Sequence, residues 1–444
     1  MPACDYDSVR VRLFTILTLT ACATCAFAEP AVRLLAAGRI AADLRDAEGE
    51  TVGGIGSAIE ILPSGEIVML SDRGAGDGTI DYRPRLQFFT MTRNGSKLDL
   101  QLVRTVIMRD SNGRAFTGLF PDRPSTEPPQ RGDGRMCLDP EGLAVLPDGG
   151  FFLSEEYLPS VRELAADGRF VRRFDTPPAL VPRDGNGNVD FATNDEEALG
   201  QGREPNRGFE GLALLPDGRL ATVLQSGAVQ DGGRESGFTR IVVYDTKTGR
   251  PAAAYRLPFS DATELDASAP PGKKLKSRHL VFSALTALPD GRLLALERDN
   301  FGADGSTDHA PARWKAVILL DLRGAENILE LADASSAAPV SRTVLFNLAA
   351  LDTAAFGLPR EEMPAKWEGL AVAGIDSDRV RLLLTSDNDF LAPVLMMGAD
   401  GDEPAAIAFP RAERAQDTWI LEVETPVPPL SASRNAQPTI HRTT

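Results

Sequence analysis

The chain has 444 residues and a formal net charge of −16. That acid excess excludes the basic stripe with which a protein neutralises nucleic-acid phosphates, and it disfavours an anionic membrane surface. Of the four cysteines, Cys4, Cys22 and Cys25 fall in the N-terminal segment, so cleavage there would leave Cys137 without a disulfide partner, read as a small buried hydrophobe.

Residues 1–28 have the pattern of an export signal. Arg10 and Arg12 precede the apolar stretch Leu13–Thr20, which is too short to span a bilayer, and Ala26-Phe27-Ala28 supplies the small-x-small cleavage pattern. Leu19-Thr20-Ala21-Cys22 also resembles a lipobox, which would put a lipid anchor on Cys22. By either route the chain leaves the cytoplasm for the periplasm or the medium.

Beyond the signal, one phrase recurs: Ser57-Ala-Ile-Glu-Ile-Leu-Pro-Ser-Gly65, Glu141-Gly-Leu-Ala-Val-Leu-Pro-Asp-Gly149, Glu210-Gly-Leu-Ala-Leu-Leu-Pro-Asp-Gly218 and Ser283-Ala-Leu-Thr-Ala-Leu-Pro-Asp-Gly291, with a degenerate copy opening at Glu368-Gly369-Leu370. Repetition at long spacing is the mark of a repeat architecture. Each phrase reads as strand, turn, strand, because Pro presets φ for the turn and Gly supplies φ > 0. Two further apolar runs follow each hairpin: 86–89 and 100–103, 161–164 and 170–174, 240–244 and 253–257, 317–320 and 343–346. The last unit shows only 370–373, 380–384 and 419–423, and the run 32–40 is expected to supply its fourth strand and close the edge. The expected fold is an all-β propeller within residues 29–424, with five four-stranded blades, or six if one is too degenerate to show. Residues 195–201 suggest a helical turn. From Thr425 the chain reads as a disordered tail, 425–444.

Aligned on the turn proline, Ser57, Glu141, Glu210, Ser283 and Glu368 open the innermost strands. The returning strands end in Ser71-Asp72-Arg73, Ser154-Glu155-Glu156, Gln225-Ser226, Glu297-Arg298-Asp299 and Ser386-Asp387-Asn388-Asp389. Antiparallel return brings these two polar rings together around one mouth of the channel. Converging carboxylates repel unless they bind a cation, pair with Arg or share protons. An all-oxygen set suits Ca²⁺ before Mg²⁺, which nominates Asp72, Glu141, Glu210, Asp299, Glu368 and Asp387 as metal ligands. Arg73, Glu156 and Arg298 are the candidate catalytic groups, the arginines being able to grip a phosphate or carboxylate. The competing reading is structural: Glu before Gly caps loop amides, Asp and Asn close turns, and Arg73 and Arg298 pair with acids. No Gly-x-Ser-x-Gly elbow is present. His279 reads as a structural imidazole, and His309 lies in an Asp-rich loop. Asp184-Gly-Asn-Gly-Asn188 resembles the start of a Ca²⁺ loop without its closing Glu. Trp314 and Trp367 are expected to wedge between blades.

Asp139-Pro-Glu-Gly-Leu-Ala-Val-Leu-Pro-Asp-Gly149 with Ser154-Glu155-Glu156-Tyr157, the stretch from Ser283 to Arg298, and Trp367-Glu-Gly-Leu370 with Ser386-Asp-Asn-Asp-Phe390 resemble the phytase-like family described as having esterase-like activity of phytase, over about Gly38 to Val423. The resemblance implies an exported, Ca²⁺-dependent hydrolase of phosphate or carboxylate esters on a propeller. It designates a fold and brings no catalytic residue with it. The alternative function is a non-catalytic envelope propeller holding a ligand or protein at the same mouth. The partner expected of the enzyme is a small-molecule ester.

Overall fold

Four turns of the same build set the frame. In each, a leucine amide bonds a carbonyl four residues on, and the glycine amide bonds back to that leucine: Leu62 with Glu66 and Gly65, Leu146 with Gly150 and Gly149, Leu215 with Arg219 and Gly218, Leu288 with Arg292 and Gly291. The glycines have φ of 85–86°, a region in which a side chain is costly. The repeated Leu-Pro-x-Gly is therefore a backbone requirement, met the same way in every complete copy.

The computed structural model describes residues 32–193, 195, 197–267, 273–303, 310–331, 333–390 and 416–430, and the backbone of 394–396 and 405–407. The signal segment with Cys22, as well as His309 and His441, lies outside them. The described chain is nearly all β; its one α-helix is Ala262–Ala267, beside several short 3₁₀ turns. Among the described residues no helix is long and apolar enough to cross a membrane.

Three four-stranded antiparallel sheets follow the second, third and fourth copies of the phrase. They run, from inside out, Pro140–Val145, Phe151–Glu155, Ser160–Leu164, Phe170–Arg173; Phe209–Leu214, Leu220–Leu224, Phe238–Asp245, Arg250–Pro258; and Leu280–Ala287, Leu293–Asp299, Lys315–Asp321, Ser341–Asn347. The first and last copies share an eight-stranded sheet. Its first half is Ile55–Ile61, Ile67–Ser71, Arg85–Asn94, Lys97–Ile107; its second is Trp367–Asp376, Arg379–Ser386, Thr418–Pro426 and then the N-terminal strand Arg33–Ile40. Arg33–Ile40 pairs antiparallel with Thr418–Pro426 along its length. The two halves meet in a single parallel pairing, Ala37 with Lys97.

Every strand expected from the apolar runs is present. The expected helical turn at 195–201 is not: its end is the strand Leu199–Gln201, paired with Arg183–Asp184. Thr425 and Pro426 belong to the last strand, opposite Val380 and Arg379. The Val427 amide bonds Asp378. Ordered chain thus continues past the point where composition alone suggests a tail, because β pairing with 379–386 overrides the proline content.

The innermost strands pack side by side in a cycle: 55–61 beside 140–145, then 209–214, 280–287, 367–376, and back to 55–61. Residues from all of them line one axial void of about 10 Å³, room for about one water. Between the sheets lie apolar layers. One is built on Trp367, Leu382, Leu384, Leu294 and Leu348, another on Phe209, Tyr244, Phe174 and Phe152. Trp367 is fully buried between the fourth and fifth copies, as expected. Trp314, half-buried, packs against the layer between the third and fourth sheets and also donates its indole N–H to Glu297 at 2.7 Å.

Candidate functional site at the mouth of the inner strands

Each innermost strand breaks register at the residue that opens the phrase. The shifts fall between Ile55 and Ala58, Pro140 and Gly142, Phe209 and Leu212, Phe282 and Ala284, and Trp367 and Gly369. Ser57, Glu141, Glu210, Ser283 and Glu368 are thus bulge residues. A bulge leaves the extra residue outside the ladder and re-aims its side chain. The glycine after Glu has a packing cause. A Cβ on Gly142 would stand 2.6 Å from the Glu210 carbonyl, and one on Gly211 2.1 Å from the Leu285 amide. Glu-Gly therefore couples an acid turned out of the sheet to a backbone pressed against the next inner strand.

At this end the carboxylates gather in two overlapping groups, Asp72 with Asp139 and Glu141, and Asp72 with Asp387 and Asp389. Within each group one carboxylate oxygen from every residue lies within 4.8 Å of the others. Glu141 is 8% exposed, and among the described residues it takes no hydrogen bond or ion pair. Burial, then the charges of Glu210, Asp139, Glu156 and Glu368, push its carboxyl well above the usual range. Burial raises Asp72 well above that range too, followed by Asp387 and Asp139; its Oδ1 accepts the Gly74 amide at 2.7 Å. Burial and the Asp389 and Glu368 charges do the same to Asp387, which takes the Ser57 hydroxyl at 3.3 Å and the Asp389 amide at 2.8 Å. Glu210 is raised by burial and by Glu368. One of its oxygens accepts from Gln225, and the other is buried without a partner. Glu368 behaves oppositely: burial pushes it up, but Lys366 and Arg298 hold it below the ordinary range.

The arginines are spoken for. Arg73 donates to Asp139 from its backbone N–H at 3.1 Å and from Nη1 at 2.7 Å, and pairs with Asp77. Arg298 donates to Glu368 at 2.5 Å and to Asn300 at 2.6 Å. Glu156 accepts the Gly208 amide on Oε1 at 3.2 Å, while its Oε2 lies 3.7 Å from Arg73. Of the residues nominated from sequence, Asp72, Glu141 and Asp387 therefore fall in the close groups. Glu210, Glu368, Glu156, Arg73 and Arg298 line the same mouth as their electrostatic neighbours. Asp299 is not brought in. Its Oδ1 is 2.6 Å from the buried Lys315 ammonium, and its Oδ2 accepts the Arg313 and Trp314 amides at 2.8 and 2.9 Å. The residue serves as a buried anchor because the third strand of its own sheet brings a lysine to it.

Residues 50–390 match the profile of the phytase-like family, described as "Esterase-like activity of phytase". The chain belongs to this family. It is also 27% identical over 452 residues to an uncharacterized secreted protein of Arthroderma benhamiae, a match that covers 81% of this chain and 86% of that protein. Among solved structures, virginiamycin B lyase from Staphylococcus aureus aligns at TM-score 0.32 and 9% identity over 88% of this chain and 99% of that one. The PQQ-bound aldose sugar dehydrogenase from Streptomyces coelicolor aligns at TM-score 0.30 and 15% identity over 90% and 100%. Similarity at that level carries nothing about activity.

The phytase-like mouth contains groups that spacing alone did not single out. Asp139 stands two residues before Glu141, and burial, against the pull of Arg73, pushes it up to about 8. Asp389, at φ 49°, closes the second group. Lys366 precedes the last phrase and reaches Asp389 at 2.5 Å. Arg207 donates to Gln225 at 2.5 Å; burial and the neighbouring Arg234 lower it to about 10. The alternations Asp-x-Glu and Asp-x-Asp beside the bulge positions were the available signals for the two acids. The Asp184 loop is self-contained: its oxygens accept the Asn186 and Asn188 amides and the Asn188 side chain. His279 accepts the Lys276 amide at 3.0 Å and packs on Phe301, a structural role.

Proposed function

We propose that this protein is an exported five-bladed propeller that hydrolyses a phosphate ester, or a carboxylate ester, with Ca²⁺ held at the mouth of the inner strands. The observation that carries the reading is the Asp72–Asp139–Glu141 group, in which Glu141 is buried among other acids without a cation of its own. Oxygens within 4.8 Å of one another suit an ion that binds oxygen at about 2.3–2.6 Å, since opposed ligands then lie roughly 5 Å apart. A bound Ca²⁺ supplies Lewis-acid polarisation of the ester oxygen and lowers the pKa of water.

The protein's own groups do the rest. Asp72, Asp139 and Glu141 would hold the ion, with Glu210, Glu368 and Asp387 around it. Arg298, with Lys366, keeps Glu368 charged, Arg73 is paired with Asp139, and both arginines balance negative charge that develops on the substrate. Glu156, whose Oε2 has among the described residues only the Arg73 contact at 3.7 Å, would take a proton from water. Five blades is the reading in which the two halves of the eight-stranded sheet, whose strands pair among the described residues at Ala37 and Lys97 alone, are separate blades, the last closed by the N-terminal strand. Export is supported by the signal-like residues 1–28 and by the secreted relative.

One observation favours a second reading, a ligand-binding module without turnover: Arg73 and Arg298 are both already engaged by acids. Hydrolysis of generic phosphomonoesters and carboxyl esters, with Ca²⁺ and with chelator, separates the two. Chelator-sensitive turnover supports the enzyme. Ca²⁺ binding without turnover of any ester supports the binding module, and chelator-insensitive cleavage removes the metal from the mechanism.

A further inference from the structure

The two acid groups share Asp72 but are not equivalent. In the Asp72–Asp139–Glu141 group Arg73 is paired with Asp139 and with Asp77, yet Glu141, 8% exposed, is left without a hydrogen-bond or ion-pair partner among the described residues. In the Asp72–Asp387–Asp389 group no acid is left over: the Lys366 ammonium lies 2.5 Å from Asp389, Asp387 takes the Ser57 hydroxyl and the Asp389 amide, and Asp72 takes the Gly74 amide. The Lys366 carbonyl accepts the Asp387 amide at 3.1 Å, so the root of that side chain is fastened to the acid loop itself. Burial works against the ammonium's charge, but Asp389, Glu368, Asp387 and Asp72 hold its pKa well above the usual lysine value.

We propose that Lys366 is a resident cation that fills the Asp72–Asp387–Asp389 half of the cluster, so that the mouth takes one divalent ion, on the Asp139–Glu141 side, and removal of the lysine opens a second site. The inference builds on the metal reading above. It requires that the acid loop keep its shape without the lysine. The loop is set by main-chain amides that donate to side chains other than the lysine: the Asp389 amide to Asp387 Oδ1 at 2.8 Å, and the Phe390 and Gly54 amides to Asn388 Oδ1 at 3.0 and 2.6 Å. An ammonium is a compact single charge with three donors. A calcium ion brings twice the charge and accepts six to eight oxygens, so three carboxylates relieved of the lysine form a cation site.

Calorimetric titration of the full chain with Ca²⁺ tests this. The wild type is expected to bind one ion, Lys366→Met two, and the double variant Lys366→Met/Asp389→Asn one again. Two ions on the wild type, or one on a folded Lys366→Met, overturns the proposal. If the wild type binds none, the metal reading fails, and the lysine inference is decided by Lys366→Met alone: a gained ion upholds it and none overturns it. If Lys366→Met does not fold, Asp389→Asn in the wild-type background decides. Asn tolerates the left-handed backbone at that position, and a Kd changed less than about threefold, under 1 kcal/mol, upholds the proposal, whereas loss of binding overturns it.

Discussion

The mouth has two sides built from the same repeat positions. On the side of the first, second and fifth copies, Asp72, Asp139, Glu141, Asp387 and Asp389 crowd together. On the side of the third and fourth, Glu210 leans on Gln225, Ser283 donates to the Trp367 carbonyl at 2.7 Å, and Asp299 is locked to Lys315. Asp299 and Asp387 make the contrast sharpest, since each stands at the end of the returning strand. The neighbouring third strand of the fourth copy opens with Lys315; that of the fifth opens with Thr418, whose hydroxyl bonds the Ile55 carbonyl at 3.0 Å. The repeat decides that an acid arrives at the mouth. The third strand decides whether it arrives already neutralised.

The comparison can be broken most decisively at the paired side. Lys315 is fully buried, and its ammonium bonds Asp299, Phe301 and Ala365. Lys315→Met leaves Asp299 buried and uncompensated, so unfolding in denaturant should show a loss of about 3–5 kcal/mol, with Ca²⁺ affinity of the folded fraction unchanged. A loss below about 1 kcal/mol, the surface-pair range, would erase the distinction between the sides. On the acid side Glu141→Gln should weaken Ca²⁺ binding at least about 100-fold. It should also raise the metal-free Tm, because it removes a charge opposed by burial and by Glu210; a lower metal-free Tm would mean that Glu141 has a stabilising partner.

Smaller effects sharpen the same contrast. Gly142→Ala drives a Cβ to 2.6 Å from the Glu210 carbonyl and should cost about 1–3 kcal/mol by overpacking, read in the same denaturation experiment. Gly185→Ala, with open space around the Cβ, should not. The pH dependence is subtler. Glu141, Glu210 and Asp72 are raised in the folded state, as is Asp139, from 3.8 to about 8. Between those two pH values the folded chain holds protons that the unfolded chain has lost. The stability that these four acids contribute without metal is therefore full below about pH 4 and declines as pH rises toward about 8. Calcium competes with those protons, so the gain in Tm on adding Ca²⁺ should grow from pH 5 to pH 8; a gain that shrinks would place the ion elsewhere.

Much of this was legible in the residues. The phrase Leu-Pro-x-Gly dictated the hairpins, and the strand runs, the closing strand 32–40 and the gathering of Glu141, Asp72 and Asp387 followed from alternation and antiparallel return. What escaped was lateral. Lys315 reaches Asp299 from a different strand, in a register that no local pattern encodes. Lys366 lies outside the phrase, and Asp139 enters through its bond with Arg73 across two copies. The strand at 199–201 was hidden because Asp and Glu at 195–197 imitate a helix start, while its pairing partner lies at 183–184. The bulges were not foreseen either, although the Glu-Gly dipeptide marks three of them.

The seam between Arg33–Ile40 and Thr418–Pro426 has a consequence for biogenesis. Its terminal ion pair, Arg33 with Glu424, spans 391 positions, so the first strand to be synthesised must wait for nearly the last before it finds its neighbour. On the export route proposed above, the chain remains unlatched for most of its passage, and non-local closure of this kind is intrinsically slow. Late latching makes strands Arg33–Ile40 and Thr418–Pro426 each dependent on the other to complete the sheet.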